Sequence, residues 1–360
     1  MRALFPTSFQ RWWHSSASAA APASPRALPT VFGLWILAFT LKHTGASWDV
    51  AWHFRFLRDD LIPPHIINLS GNALALALLC FQLRTGLALE PRGLLVVIAG
   101  FALFIAALPL DLLNHRLFGL DVTIWSIPHL MFFFGSTIAL VGLLWMWLRL
   151  AAPDRWKTAY TLIFLTFLTD CAIFVLGQHE YGVLTVDAYL KGHPTASNDL
   201  LALARGNLVG FATGHVPPWI YPIWMVLAGT AVLLAARRAL PGRWTATIVA
   251  ALYLAYRAVA YLLLIAAGFP PSSIPLMLLG AGFTIDLAAG RKWRPAITAA
   301  ALLLAFYGGA ALVGHVTLMP AFAPLTAVAI AAPLWAMVAA ANRWQAAPPG
   351  TGAITRVQEV

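Results

Sequence analysis

The stretch Gly93–Leu110, GLLVVIAGFALFIAALPL, decides the fold. It holds no Asp, Glu, Lys or Arg. An apolar run of roughly 18 or more residues reads as a membrane-spanning helix, because about 20 residues rising 1.5 Å each cross the hydrocarbon core. Leu130–Leu148 and Ala296–Val313 are free of these four residue types in the same way. Across all 360 residues, 61% are hydrophobic and 10% are charged. A soluble domain carries about 25% charged residues, so this chain cannot coat a water-facing globule of its size. Backbone groups in lipid must bond internally, which makes the helix the default spanning element.

The expected architecture is therefore an all-α, polytopic transmembrane bundle of about ten spans. Their limits read as 31–48, 66–83, 93–110, 130–149, 158–176, 217–236, 244–267, 274–290, 296–315 and 323–342. Pro and Gly punctuate the joints, as at Pro63-Pro64, Pro128, Pro217-Pro218 and Pro270-Pro271. The organisation reads as a disordered cytoplasmic tail over 1–29 and a four-helix half over 30–150. About six further helices follow over 151–343, then a second disordered tail over 344–360. The first tail is rich in Ala, Ser and Pro and lacks the apolar core of a signal peptide.

The formal net charge of +10 fits anchoring charges in short loops. No basic stretch with interleaved aromatics points to nucleic acid. With the N-terminus on the cytoplasmic side, most Lys and Arg fall in the inner segments, including Arg84, Arg92, Arg149, Arg155, Lys157, Arg237, Arg238, Arg243, Arg291, Lys292 and Arg294. The longer outer segments hold only Lys42, Arg55, Arg58, Arg116, Lys191 and Arg205. Both termini are thus expected to be cytoplasmic, in a cell membrane such as the bacterial inner membrane. Cys80 and Cys171 fall inside apolar runs and read as packing residues.

The histidines run opposite to the basic residues. All but His14 lie on the outer side or at outer helix ends. Two segments share one grammar. Asp49-Val-Ala-Trp-His53 is followed by Arg58-Asp59 and by Pro63-Pro64-His65 at the next span. Asp111-Leu-Leu-Asn-His115 is followed by Asp121 and by Pro128-His129 at the next span. An i,i+4 pair lies on one helical face, so each Asp-x-x-x-His can offer a carboxylate oxygen and an imidazole to one ion. The Pro-His step adds an imidazole from the neighbouring helix. A single such pair at a helix end is ordinarily an interfacial hydrogen bond. Two copies on one membrane face point to a metal centre of Asp49, His53, His65, Asp111, His115 and His129, toward the extracytoplasmic side. His/Asp donor sets suit copper, zinc or iron.

Further polar residues accompany this set. His179, Glu180 and His215 form a degraded third copy that can line the same cavity. Asp170 and Arg257 lie within spans, and intramembrane charges face a partner or a wet cavity. They are expected to line a pocket or to pair with each other, with Tyr253, Tyr256 and Tyr261 around Arg257. Asp286 reads as reaching water at the inner end of its span. His43 and His193 read as solvated.

From Asp49 to Asn68 the chain resembles the C subunit of the copper membrane monooxygenases, the particulate methane and ammonia monooxygenase family. That family carries Asp-x-x-x-His, Arg-Asp and Pro-x-His-Ile-Ile, matched here by Asp49, His53, Arg58-Asp59, Pro63 and His65-Ile66-Ile67. Its later Asn-x-x-x-His and Pro-x-His are matched by Asp111, His115 and Pro128-His129, with Asp in place of Asn. The resemblance covers Val31–Arg149. It implies one copper site at Asp49, His53 and His65, an adjacent one at Asp111 and His115, companion membrane subunits, and oxidation of a small apolar or lipid-like substrate. A zinc-dependent intramembrane hydrolase and a non-enzymatic transporter or metal-handling protein are the alternatives that the same residues allow.

Overall fold

A computed structural model describes residues 27–53, 62–118, 123–173, 192, 217–269, 274–315, 320 and 322–346. Among the described residues the chain is all-α. The described residues form ten helices: α1 (Ala27–His53), α2 (Pro63–Thr85), α3 (Pro91–Phe118), α4 (Ile127–Leu150), α5 (Arg155–Ala172), α6 (Ile220–Ala239), α7 (Thr245–Ala266), α8 (Met277–Gly290), α9 (Pro295–Gly314) and α10 (Pro324–Ala346). Each expected span has its helix. Seven of them, α2, α3, α4, α6, α7, α9 and α10, are long and apolar enough to cross a membrane, which marks a multi-pass membrane protein. The other three differ for stated reasons. Helix α8 has 14 residues. Helix α1 carries Lys42, His43 and Asp49, and α5 carries Arg155, Lys157 and Asp170.

Several boundaries move relative to the sequence reading. Helix α1 starts at Ala27, inside the stretch expected to be a tail, because Pro29 falls in the first turn, where a missing N–H breaks no bond. Helix α10 continues to Ala346, through Arg343-Trp-Gln-Ala. Helix α3 runs through Pro109 to Phe118, so Asp111 and His115 ride on a continuous helix.

The first four helices form two antiparallel hairpins, α1–α2 and α3–α4, and these are the most extensive helix pairings among the described residues. Helix α5 packs on α4, α1, α6 and α7. Helices α6 to α10 close the second half, with α10 returning against α6. The core between the two hairpins, with α5 against it, is aromatic. Phe32 meets Trp147 at 5.0 Å and Phe164 at 6.1 Å, and Trp35 meets Phe101 at 6.0 Å. Phe32, Trp35 and Phe164 are fully enclosed. Trp35 also donates its indole N–H to Gln82 at 2.9 Å, and Gln82 donates onward to the Ala88 carbonyl, which seals the α2–α3 turn.

Asp286 corrects an expectation. Its carboxylate is buried and does not reach water. It accepts from the Thr247 N–H at 2.8 Å, the Thr247 hydroxyl at 2.7 Å and the Ala246 N–H at 3.3 Å, and it pairs with Arg237. Trp244 precedes α7 and offers no side-chain cap. Asp286 supplies the missing acceptor from α8, where orphan N–H groups and the helix dipole favour an anion.

Candidate metal centre

Glycines set the register of both hairpins. A Cβ on Gly45 would stand 2.5 Å from the Asn68 nitrogen, and one on Gly71 would stand 2.6 Å from the Ala38 carbonyl oxygen. Helices α1 and α2 therefore touch backbone to backbone, with Gly45 opposite Asn68 and Gly71 opposite Lys42. One more turn toward the connecting loop brings Asp49 opposite His65. Helices α3 and α4 use the same device with glycine on glycine. A Cβ on Gly142 would stand 2.6 Å from the Gly93 carbonyl oxygen, and one on Gly135 would stand 2.7 Å from that of Gly100. Continued past Pro109, this register brings Asp111 to His129.

The outcome is one Asp–His couple at the loop end of each hairpin. His65 Nε2 lies 2.8 Å from Asp49 Oδ1, with both side chains partly exposed. His129 Nε2 lies 3.6 Å from Asp111 Oδ1, again with both partly exposed. Each aspartate thus meets the histidine that opens the next helix. His53 ends α1 and His115 rides α3 one turn beyond Asp111, with side chains outside the described residues. Among the described residues no three His, Cys, Asp or Glu side chains gather as a metal-holding group. His179, Glu180, His193 and His215 also lie outside the described residues.

Carboxylate oxygen and imidazole nitrogen are donor types that a metal ion takes, and each couple supplies one of each. Two donors each about 2.0–2.1 Å from one ion sit about 2.9 Å apart at a right angle and about 3.3 Å apart in a tetrahedron. The separations of 2.8 Å and 3.6 Å bracket those edges. His129 adds a second observation. Its Nδ1 lies 3.0 Å from the Thr123 carbonyl oxygen. A carbonyl only accepts, so Nδ1 carries the proton, and in the neutral ring Nε2 turns its lone pair toward the Asp111 carboxylate. Two electron-rich atoms facing each other call for a cation or a proton between them. Tying the outer ring nitrogen to a backbone carbonyl is how metal-bound histidines are commonly oriented.

Deeper in the membrane the structure corrects the reading of His43. It is buried, not solvated. Its Nδ1 lies 2.7 Å from Asp170 Oδ2, its Nε2 lies 3.8 Å from Cys171 Sγ, and its ring stacks on Phe167 at 4.9 Å. Asp170 and Arg257 do come together, at 3.6 Å. Arg257 also donates to the Ser47 hydroxyl at 3.1 Å, which lies 3.3 Å from the Tyr256 hydroxyl. The signal for His43 was present in its position, five residues inside the expected end of the first span. Lys42 likewise leaves the outer loop where its charge was counted. It is buried, donates to Asn72 Oδ1 at 3.1 Å and lies 3.2 Å from the Phe104 ring centre. Comparison with protein-family models, with curated proteins and with solved structures found no match.

Proposed function

We propose that this chain is an integral-membrane metal protein of the copper-dependent, monooxygenase-like class, acting alone or as a subunit on a small apolar or lipid-like substrate at the outer face. The Asp–His couples carry this reading, above all the His129 ring with Nδ1 tied to Thr123 and Nε2 aimed at Asp111. Asp49, His53 and His65 hold one ion, and Asp111, His115 and His129 serve the adjacent position. Ten spans with both termini cytoplasmic, as the basic residues favour, put these groups on the extracytoplasmic side of the cell membrane.

The residues divide the work by chemistry. The carboxylates of Asp49 and Asp111 offset cationic charge at the membrane boundary, and the imidazoles supply borderline-soft nitrogen donors. The Thr123 carbonyl keeps one ring in a fixed tautomer. Phe104 and Phe132, 4.9 Å apart, pack below His129 and exclude water from the bilayer side. Bound copper would supply the oxidising chemistry that no side chain can, while the helices position it and keep the pocket dry.

Metal analysis and electron paramagnetic resonance of the aerobically purified protein test this reading. The expected result is about one to two equivalents of copper with a type 2 signal, reduced in His65→Ala and in His129→Ala. Less than roughly half an equivalent of any transition metal, unchanged in both variants, overturns the metal centre. A silent sample with stoichiometric zinc keeps the centre and overturns the oxidoreductase assignment in favour of a hydrolase.

A further inference from the structure

His43 does not belong to either Asp–His couple, and the proposed oxidation makes no use of it. It sits about 9 Å below Asp49 along α1, since six residues rise 1.5 Å each. Its ring is fixed on three sides. Phe167 stacks on one face at 4.9 Å, and Phe39 lies 6.1 Å away. Asp170 takes Nδ1 at 2.7 Å, which assigns the ring proton to that nitrogen. Nε2 is then the basic nitrogen, and it faces Cys171 Sγ at 3.8 Å. Asp170 and Cys171 are neighbours on the last turn of α5, so one imidazole touches both. That turn is itself pinned, because Trp224 donates from α6 to the Ala172 carbonyl at 2.7 Å.

This order, thiol to Nε2 and Nδ1–H to carboxylate, is the arrangement that activates a cysteine nucleophile. We propose that Cys171, His43 and Asp170 form a second reactive centre inside the membrane, with an apolar acyl thioester as its partner. The proton of the Cys171 thiol passes to His43 Nε2. The sulfur attacks the acyl carbonyl, a new carbon–sulfur bond forms and the old one breaks. The departing thiolate takes the proton back from Nε2. No oxidant or reductant enters, and the thiol is buried among apolar side chains, surroundings that suit an acyl chain better than a polar group.

The surrounding charges suit that step. From α7, Arg257 lies 3.6 Å from Asp170 Oδ1, and Tyr253 and Tyr256 complete that wall. On α1 itself, Ser47 joins Arg257 to Tyr256, while Lys42 turns the other way toward Asn72 of α2. With the proton moved from sulfur to imidazole the net charge of the cluster is unchanged, so the transfer places no new net charge in lipid. Arg257 and Asp170 act as positioning residues.

The test uses the full chain in native membrane vesicles, with Cys80→Ser so that Cys171 is the single thiol. N-ethylmaleimide labelling is followed by mass spectrometry from about pH 6 to about pH 8. An ordinary thiol reacts about tenfold faster per pH unit in this range, because only its thiolate attacks. For Cys171 the expected change is less than about threefold per unit, with His43→Gln restoring the steep dependence and Asp170→Asn lying between. A short-chain acyl thioester, S-octanoyl N-acetylcysteamine, should leave a hydroxylamine-labile octanoyl group on Cys171 and none on Cys171→Ser. Thermal midpoints in detergent and full labelling after denaturation confirm that each variant folds and retains its thiol. Absence of labelling before denaturation, or one pH dependence shared by the parent and His43→Gln, overturns the activated thiol. Labelling without acyl transfer overturns the thioester assignment. The metal readings of the outer couples are unaffected by either result.

Discussion

The hairpins α1–α2 and α3–α4 obey the same sequence grammar and the same glycine packing, yet their seams differ. The first seam is polar. His65, Asn68 and Asn72 follow one face of α2, Asn72 bonds Asn68 at 2.9 Å, and the buried Lys42 ammonium bonds Asn72 at 3.1 Å. The second seam is dry. Gly93 and Gly100 press on Gly142 and Gly135, Phe104 packs on Phe132, and the Ser136 hydroxyl turns back to its own helix at the Phe132 carbonyl. The couples differ accordingly. Asp49 and His65 approach to 2.8 Å, while Asp111 and His129 stand at 3.6 Å with the ring anchored to Thr123. A motif decides which residues can meet. Backbone approach and the polarity of the seam decide how closely they do.

The largest effect is expected from blocking backbone approach. Gly100→Val forces side-chain atoms into the Ala139 and Gly135 backbone of α4. It should destabilise the protein by about 3 kcal/mol in detergent unfolding and separate Asp111 from His129. Gly71→Val should do the same to the other hairpin. Gly308→Ala is the control: a Cβ there meets nothing within 4 Å, so helix propensity should raise stability by up to about 1 kcal/mol. Equal behaviour of all three variants would break the account of glycine register.

The next effect separates the two aspartates, and it rests on the metal reading. The Asp49–His65 couple is the tighter of the two, at 2.8 Å against 3.6 Å. Asp49→Asn should weaken metal binding by about 10–100-fold in a chelator competition, and Asp111→Asn by less than about threefold. The reverse order would show that the second hairpin holds the principal site.

The smallest effects lie in the polar seam. Asn72→Leu leaves the Lys42 ammonium without its amide acceptor and should cost about 1–2 kcal/mol. Lys42→Met removes the buried charge together with its demand and should change stability by less than about 1 kcal/mol. The double variant should match Lys42→Met alone. A neutral Asn72→Leu would mean that the cation over Phe104 is held by the ring instead.

Much of this was legible in the sequence. Charge-free runs such as Gly93–Leu110 settle helices in lipid, because no other element satisfies its own backbone there. The repeated Asp-x-x-x-His and Pro-His steps set four residues at helix ends facing one side. Helical periodicity alone puts Asp49 and His53, or Asp111 and His115, a turn apart. The pairing of Asp170 with Arg257 could be anticipated, since a charge in a span demands a partner.

What only the tertiary structure decided is which helices touch, and through which atoms. Gly71 and Gly100 read as ordinary residues of apolar runs until the opposite backbone is seen against them. His43 and Lys42 are adjacent in the chain but lie on different faces of α1, one committed to α5 and the other to α2 and α3. Asp286 caps a helix 40 residues before it, and Cys171 meets an imidazole 128 residues before it. The physical reason is the same in each case. Period and composition are local properties of the chain, whereas desolvated charge and backbone contact depend on neighbours that the fold alone supplies.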